Sequence, residues 1–462
     1  MKLCLQDIIK AVNGKCLNPE VMDCERYVLD IVTDSRHITQ ESLFVPLKGE
    51  NFDGHVFIKD VYAKGSFVTL TMHKEVVDPL LCTIHVEDTG KALLDLAHFY
   101  RKQFDIPVIG ITGSVGKTST KEIIAAILSG KLNVHKTEGN YNNEIGVPLT
   151  LFKLRKEHEI AVIEMGMNHF GEIHNLSYAA SPDIGVITNI GTSHIENLGS
   201  REGILKAKLE ILDGMASNGK LVVCGDNDLL GQLPTQKVDV IQYGFTSDKV
   251  YRAERIVSEG NYTKAFVTTP KGAYDIEINA LGEHMIYNVL AGIAVAEACG
   301  LSEAEIKRGL KHYAPSKMRM HITEGMNQMT LIDDTYNASP ESMKAALKVL
   351  KDYQNTGRKV AVLGDMLEQG DFAQSLHERV GEEAARLKID LLCAVGPLAK
   401  HIYEGAKKIG GISISYYETK EAWLQNKEQL LKAEDTILFK ASRGMHFEEM
   451  LEELRKVKSD GK

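Results

Sequence analysis

The stretch Ile106-Pro107-Val108-Ile109-Gly110-Ile111-Thr112-Gly113-Ser114-Val115-Gly116-Lys117-Thr118-Ser119-Thr120 decides how this chain reads. Its first half is a short apolar run that ends in glycines, the pattern of a strand buried on both faces of a parallel sheet. Residues 118–128 then gather Ile123, Ile124, Ile127 and Leu128 on one side, which predicts a helix. A strand, a glycine-rich turn and a helix opening on Gly-Lys-Thr-Ser form a phosphate cradle. Glycines let successive amides turn toward phosphate oxygens, and the helix N-terminus adds partial positive charge. Lys117 would reach the β- and γ-phosphates of a nucleoside triphosphate, and the Thr118 hydroxyl would ligate Mg²⁺. The common form of this loop has glycine six residues before the lysine, where this chain has Ile111. An ordinary turn and a dinucleotide fingerprint stay open as alternatives, with Gly-Lys-Thr-Ser favouring the triphosphate over both.

Working outward, 160–164, 184–189 and 220–224 repeat the buried-strand pattern, with helical patterns between several of them. That alternation signals a parallel α/β sheet. From 238 to 278 the texture is β-rich, with a turn at Pro270-Lys271-Gly272; a helix follows from about His284 to Cys299, stopped by Gly300. Beyond Pro315, strands at 330–333, 359–363, 391–395 and 436–439, with helices such as 340–350 between them, make a second doubly wound unit. Residues 1–98 mix short elements, with strands at 42–47 and 67–70 and a loop at 51–55; residues 456–462 read as a frayed tail. The expectation is an α/β protein of three domains, 1–98, 99–314 and 315–462. The first is mixed α/β, the second a P-loop-type ATPase with a mainly parallel sheet, and the third Rossmann-like.

Two further side chains sit at expected strand ends, where α/β sheets bind ligands. Glu164 closes 160–164, and His194 follows 184–189 in Thr188-Asn189-Ile190-Gly191-Thr192-Ser193-His194. Beside a phosphate loop Glu164 is a candidate Mg²⁺ ligand; a strand-end surface carboxylate and a solvated loop histidine are the plainer readings. Lys206-Ala207-Lys208-Leu209-Glu210-Ile211 reads as an amphipathic helix with solvated lysines, and nothing in its composition singles out Lys208.

The 462 residues suit two or three domains. Hydrophobic residues at 44% and charged residues at 25% exclude a disordered, collagen-like or coiled-coil chain. The net charge of −9 demotes nucleic acid as a partner. No apolar run nears the roughly 18 residues of a membrane helix, and the start turns polar too early for a signal peptide. No membrane partner and a cytoplasmic location are expected. Cys4, Cys16, Cys24, Cys82, Cys224, Cys299 and Cys393 are scattered, without a C-x-x-C pair, so they read as free thiols.

Taken together, several segments resemble the Mur ligases of peptidoglycan synthesis, relatives of the folylpolyglutamate synthases. The matching segments are the phosphate loop, Gly139-Asn140-Tyr141-Asn142-Asn143-Glu144-Ile145-Gly146-Val147-Pro148, Glu164-Met165-Gly166, Thr188–His194, Gly282-Glu283-His284 with Asn288, and Asp333-Asp334-Thr335-Tyr336-Asn337-Ala338-Ser339-Pro340. The displaced first glycine is itself how that family writes its phosphate loop. Asp333–Leu347 and Leu363–Gly370 with His377 resemble the members that use UDP-N-acetylmuramoyl-tripeptide and D-alanyl-D-alanine, and Thr33-Asp34-Ser35-Arg36 with Leu43–Phe57 resembles a domain those members share with the sister ligase. The sister ligase adding the third amino acid usually carries an Asn-Pro-Arg motif, which is absent here.

The resemblance implies an ATP-dependent, ADP-forming amide ligase acting through an acyl phosphate. It implies ATP contacts at Gly113, Ser114, Val115, Gly116, Lys117, Thr118, Ser119, Asn288, Arg319, Asp334 and Asn337. It implies substrate contacts at Ser35, Arg36, Asn142, Asn143, Ser442 and Arg443. It implies one Mg²⁺ on Thr118 and Glu164, and a second on His194 and a carbamylated Lys208 with Glu164 bridging. Lys117, Lys208, His194 and Glu164 would be catalytic, and the chain a monomer. The sister ligase or a polyglutamate synthase, a P-loop NTPase without ligase activity and a silent UDP-sugar-binding homologue are the competing readings.

Overall fold

The computed structural model describes residues 1–23, 25–233, 237–354 and 356–455. Cys24 and the tail 456–462 lie outside the described residues. Three main sheets organise the chain, as the α/β expectation requires.

The central sheet has nine strands in the order Gly272–Ile278, Tyr262–Thr269, Tyr251–Glu259, Asp239–Gly244, Lys220–Cys224, Ile184–Ile187, Val108–Thr112, Ile160–Glu164, Val134–Lys136. The first three pair antiparallel with one another and the rest run parallel. The phosphate-loop strand Val108–Thr112 lies between Ile160–Glu164 and Ile184–Ile187, with Glu164 opposite Ile111 and Ile187 opposite Thr112. Three neighbouring strands therefore end together. The phosphate loop, Glu164 and the 188–194 loop emerge side by side, which is why residues 80 apart in sequence can share a site.

The C-terminal sheet runs His321–Glu324, Thr330–Asp333, Thr436–Lys440, Lys359–Gly364, Leu391–Val395, Ser413–Tyr417, with only the first pair antiparallel. Alternate residues of its strands enter two separate cores, Ile332, Leu363 and Leu438 on one face, Leu331, Val362 and Phe439 on the other. Burial on both faces is what makes these strands read as unbroken apolar runs. The two outer strands, His321–Glu324 and Ser413–Tyr417, are half-buried, carry polar residues and escape that signal.

The N-terminal sheet has five short strands, and its core is continuous with that of the central sheet. Helix Thr89–Arg101 runs straight through the expected boundary at 98. The strand expected at 42–47 is Ser42–Phe44. Val45 still donates to the Val32 carbonyl, but Pro46 has no N–H with which to extend the ladder. The strand expected at 67–70 is Val68–Thr71. Within the loop read at 51–55, Gly54 and His55 enter a short 3₁₀ turn, Gly54–Phe57, capped by the Asp53 carboxylate accepting from His55 N–H. No helix among the described residues is long and apolar enough to cross a membrane.

Helix Arg201–Leu209 corrects the reading of solvated lysines there. Ser200 caps it, accepting from Gly203 N–H at 3.1 Å. Ile204, Ala207 and Lys208 face inward, and Lys208 is only 1% exposed, whereas Lys206 is exposed over the Phe170 ring. Residues two positions apart on a helix are turned by about 200°, so one lysine points in when the other points out.

Candidate active site

A cleft of about 640 Å³ lies between the central and C-terminal sheets. One wall is the phosphate loop. Gly113, at φ +149°, approaches Thr188 so closely that a Cβ there would lie 1.9 Å from the Thr188 hydroxyl oxygen. Only glycine fits. Gly116, at φ +83°, opens the helix Lys117–Leu128. The neighbouring strand end grips this loop. Ser114 N–H donates to the Asn189 carbonyl, Val115 N–H to Asn189 Oδ1 at 2.8 Å, and Gly191 N–H to Ser114 Oγ at 3.0 Å. Lys117 Nζ folds back onto the Gly113 carbonyl at 2.7 Å. Burial lowers the pKa of this lysine, with Glu164 opposing the shift and Arg319 adding to it.

Beside the loop, Glu164 Oε1 accepts from Thr118 Oγ1 at 3.1 Å and from Asn142 Nδ2 at 2.9 Å. Its Oε2 is buried without a hydrogen-bond partner among the described residues, 3.7 Å from Lys121 Nζ. A hydroxyl and a carboxylate with an unused buried oxygen are the hard donors that Mg²⁺ takes, so these residues fit that ion. Asn143 lines the cleft, its Oδ1 accepting from Gly146 N–H at 2.8 Å at the start of the helix Gly146–Leu151. His194 lines the cleft, with Nδ1 2.8 Å from Glu368 Oε2. Lys208 is buried behind this wall, without an ion pair or hydrogen bond among the described residues. Burial pushes its pKa well down, and the Lys117 cation pushes it further.

The opposite wall comes from the C-terminal unit. Arg319 crosses to Thr118, Nη2 donating to Oγ1 at 3.0 Å, with its guanidinium over the Tyr336 ring. Asp334 pairs with Lys440, whose Nζ also donates to the Asn337 carbonyl at 3.0 Å. Glu341 accepts from Thr192 N–H at 3.0 Å. Asn288, on the central unit, accepts from Thr120 Oγ1 at 3.1 Å. Of the residues expected from the sequence, Ser114–Ser119, Asn142, Asn143, Glu164, His194, Asn288, Arg319, Asp334 and Asn337 line this cleft.

Gly113, Ser35, Arg36, Lys208, Ser442 and Arg443 do not line it. Ser442 is buried, its hydroxyl accepting from Leu367 N–H at 2.9 Å, and Arg443 turns to Glu448. Ser35 and Arg36 lie in the Thr33–His37 loop beside a second cavity of about 270 Å³, lined by Thr33, Asp34, Lys153 and Arg155 among others. Lys440, Lys121, Glu341 and Glu368 were not singled out in the sequence. Each acts on a partner across the cleft or on a neighbouring strand, and no local spacing marks such a residue.

His284 also lines the cleft, and burial lowers its pKa to about 4. In the unfolded chain it takes a proton near pH 6.5, whereas the folded protein keeps it neutral down to about pH 4. Its contribution therefore makes stability fall as pH drops between those values. The expected result is a melting temperature that declines over that window and a shallower decline in H284N; equal slopes in melting curves at pH 7, 6 and 5 would contradict it.

Residues 111–296 match the Mur ligase middle domain and residues 318–443 the Mur ligase glutamate ligase domain. The UDP-N-acetylmuramoyl-tripeptide–D-alanyl-D-alanine ligase of Bacillus subtilis is 38% identical, over 98% of this chain and 98% of its own. The enzyme of that name from Escherichia coli is 34% identical, over 95% and 96%. The crystal structure of MurF from Acinetobacter baumannii superimposes with a TM-score of 0.92 at 33% identity, covering 98% of this chain and 99% of its own. That of MurF from Thermotoga maritima in complex with ADP gives 0.83 at 28%, covering 93% and 98%. With sequence and architecture matched from end to end, the chain belongs to the Mur ligase family, in the branch of its UDP-N-acetylmuramoyl-tripeptide–D-alanyl-D-alanine ligases.

Proposed function

We propose that this protein is the ATP-dependent ligase that joins D-alanyl-D-alanine to UDP-N-acetylmuramoyl-tripeptide in cytoplasmic peptidoglycan precursor synthesis. The observation that carries the reading is the two-walled cleft. Lys117, Thr118 and Glu164 face Arg319, Asp334 and Lys440 across it, so a nucleotide there is held by both units at once. In this reading residues 1–98 bind the UDP-sugar, with Ser35 and Arg36 in that site. Residues 99–314 bind ATP and residues 315–462 close over it, in a monomer.

A carboxylate is a poor acyl donor because its leaving group would be oxide. Transfer of the ATP γ-phosphoryl group to the terminal carboxylate of the tripeptide gives an acyl phosphate and ADP. The amine of D-alanyl-D-alanine then attacks the carbonyl, loses a proton, and the tetrahedral intermediate expels inorganic phosphate. Lys117 and Arg319 carry positive charge toward the transferring group, and Lys117 leaves the Gly113 carbonyl to do so. Thr118 and Glu164 would hold one Mg²⁺, and His194 with Lys208 the second. When bound, these ions screen the repulsion between two anionic reactants.

Lys208 is the residue whose chemistry most needs explaining. A bare ammonium would repel a cation. A lysine that is buried, without a counter-ion and next to another cation is biased toward the neutral amine, the form that reacts with CO₂. The carbamate so formed supplies oxygen ligands of the kind Mg²⁺ prefers.

Phosphate release is the test. Turnover is expected to require UDP-N-acetylmuramoyl-tripeptide and D-alanyl-D-alanine together, with ADP and phosphate formed one for one. Hydrolysis of ATP that ignored the dipeptide would favour a P-loop NTPase instead, and stimulation by a third-position amino acid on a dipeptide substrate would favour the sister ligase.

A further inference from the structure

We infer that Glu368, on the C-terminal unit, is a positioning residue for His194: its carboxylate takes the Nδ1 side of the imidazole and leaves Nε2 as the nitrogen offered to a divalent cation. The second cation position is then complete only when the C-terminal unit is docked. The inference rests on the reading of His194 as a cation ligand.

The observations are these. His194 Nδ1 stands 2.8 Å from Glu368 Oε2, and among the described residues each is the other's only ion-pair partner. The two atoms are within hydrogen-bond reach, and Nδ1 is buried with no other hydrogen-bond partner among the described residues. Both residues have left-handed backbones, His194 at φ +63° and Glu368 at φ +62°. That conformation is disfavoured for side chains with a Cβ and must be held by the surroundings. On the Glu368 side, Met366 N–H donates to His377 Nε2 and Leu367 N–H to Ser442 Oγ, both at 2.9 Å. Gly370 packs on Glu196, where a Cβ would lie 3.1 Å from its Cγ. On the His194 side, Thr192 is held by Glu341 and Gly191 by Ser114. Two carboxylates of the C-terminal unit thus grip one loop of the central unit, and that loop carries His194.

The chemistry gives the contact its role. A neutral imidazole has one N–H and one lone pair, and a cation takes the lone pair. A carboxylate that accepts the other N–H fixes tautomer and ring orientation and raises the basicity of the ligating nitrogen. Among the described residues Glu368 has no other ion pair to serve.

The test counts cations directly. Mn²⁺ is titrated into the full chain with a β,γ-methylene analogue of ATP, and free Mn²⁺ is read by electron paramagnetic resonance. Glu368→Ala is expected to weaken one of two bound ions by about 10–100-fold and leave the other alone. Glu368→Gln, whose amide oxygen still accepts the N–H, should stay within a few-fold of wild type. His194→Ala should lose the same ion, and adding Glu368→Ala to it should cost nothing more. Two tightly bound ions in E368A, loss of both ions in E368A, an E368Q as weak as E368A, or a double variant that adds the two effects would each overturn the inference. If H194A still binds both ions as wild type does, the reading of His194 as a ligand fails and this inference with it; if H194A loses one ion while E368A loses none, only the role of Glu368 fails.

Discussion

Lys208→Ala is expected to lose at least about 100-fold in turnover while keeping its fold. Removing a residue that merely orients a ligand costs about 10–100-fold, and a ligand itself should cost no less. The fold should survive because the residue removed is a buried lysine without a counter-ion among the described residues, so no pair seen there is broken. Formate or acetate should restore part of the activity by placing a carboxylate where the carbamate had been. In the wild type, protein equilibrated with ¹³C-labelled CO₂ should show one carbamate resonance that K208A lacks. Lys206→Ala, on the exposed face of the same helix, should stay within about two-fold of wild type, as surface substitutions usually do. An active K208A with no labelled resonance in the wild type would remove the carbamate from the mechanism. A dead K206A beside an active K208A would show that the wrong lysine was chosen.

Lys117→Ala comes second, with an expected loss of about 10²–10³-fold in kcat, the usual effect of removing one preorganised donor from a developing charge. Thermal unfolding should barely move. The side chain is half-buried, but among the described residues its one hydrogen bond is to the Gly113 carbonyl, and burial already lowers the stability of its charged form. The expectation thus separates catalysis from folding: a melting curve close to wild type with phosphate release nearly abolished. Near-normal kinetics in K117A would overturn the assignment of the ATP site.

The strand, loop and helix from Val108 to Leu128 were legible because each depends on neighbours in sequence: an apolar run for the buried strand, glycines for the turn, a 3.6-residue period for the helix. The inner strands of the C-terminal sheet were legible for a related reason, since burial on both faces leaves no room for polar alternation. The outer strands His321–Glu324 and Ser413–Tyr417 were not, because one side faces solvent and their composition resembles a loop. Glu164 and His194 could be suspected from strand ends alone, but nothing local said that their strands flank the phosphate-loop strand on either side.

The sequence by itself therefore determined the α/β class, the phosphate loop and, through its resemblance, the family. Only the tertiary structure decided which of two similar lysines is buried, and it chose Lys208 because Ile204 and Ala207 on the same face pack into the core while Lys206 is left outside. It alone set Glu341 against Thr192, Glu368 against His194 and Arg319 against Thr118, pairs separated by 149 residues in the first case and 201 in the last. Such contacts are fixed by how one sheet docks on another, a sum over many buried side chains, and no short spacing in the chain encodes that sum.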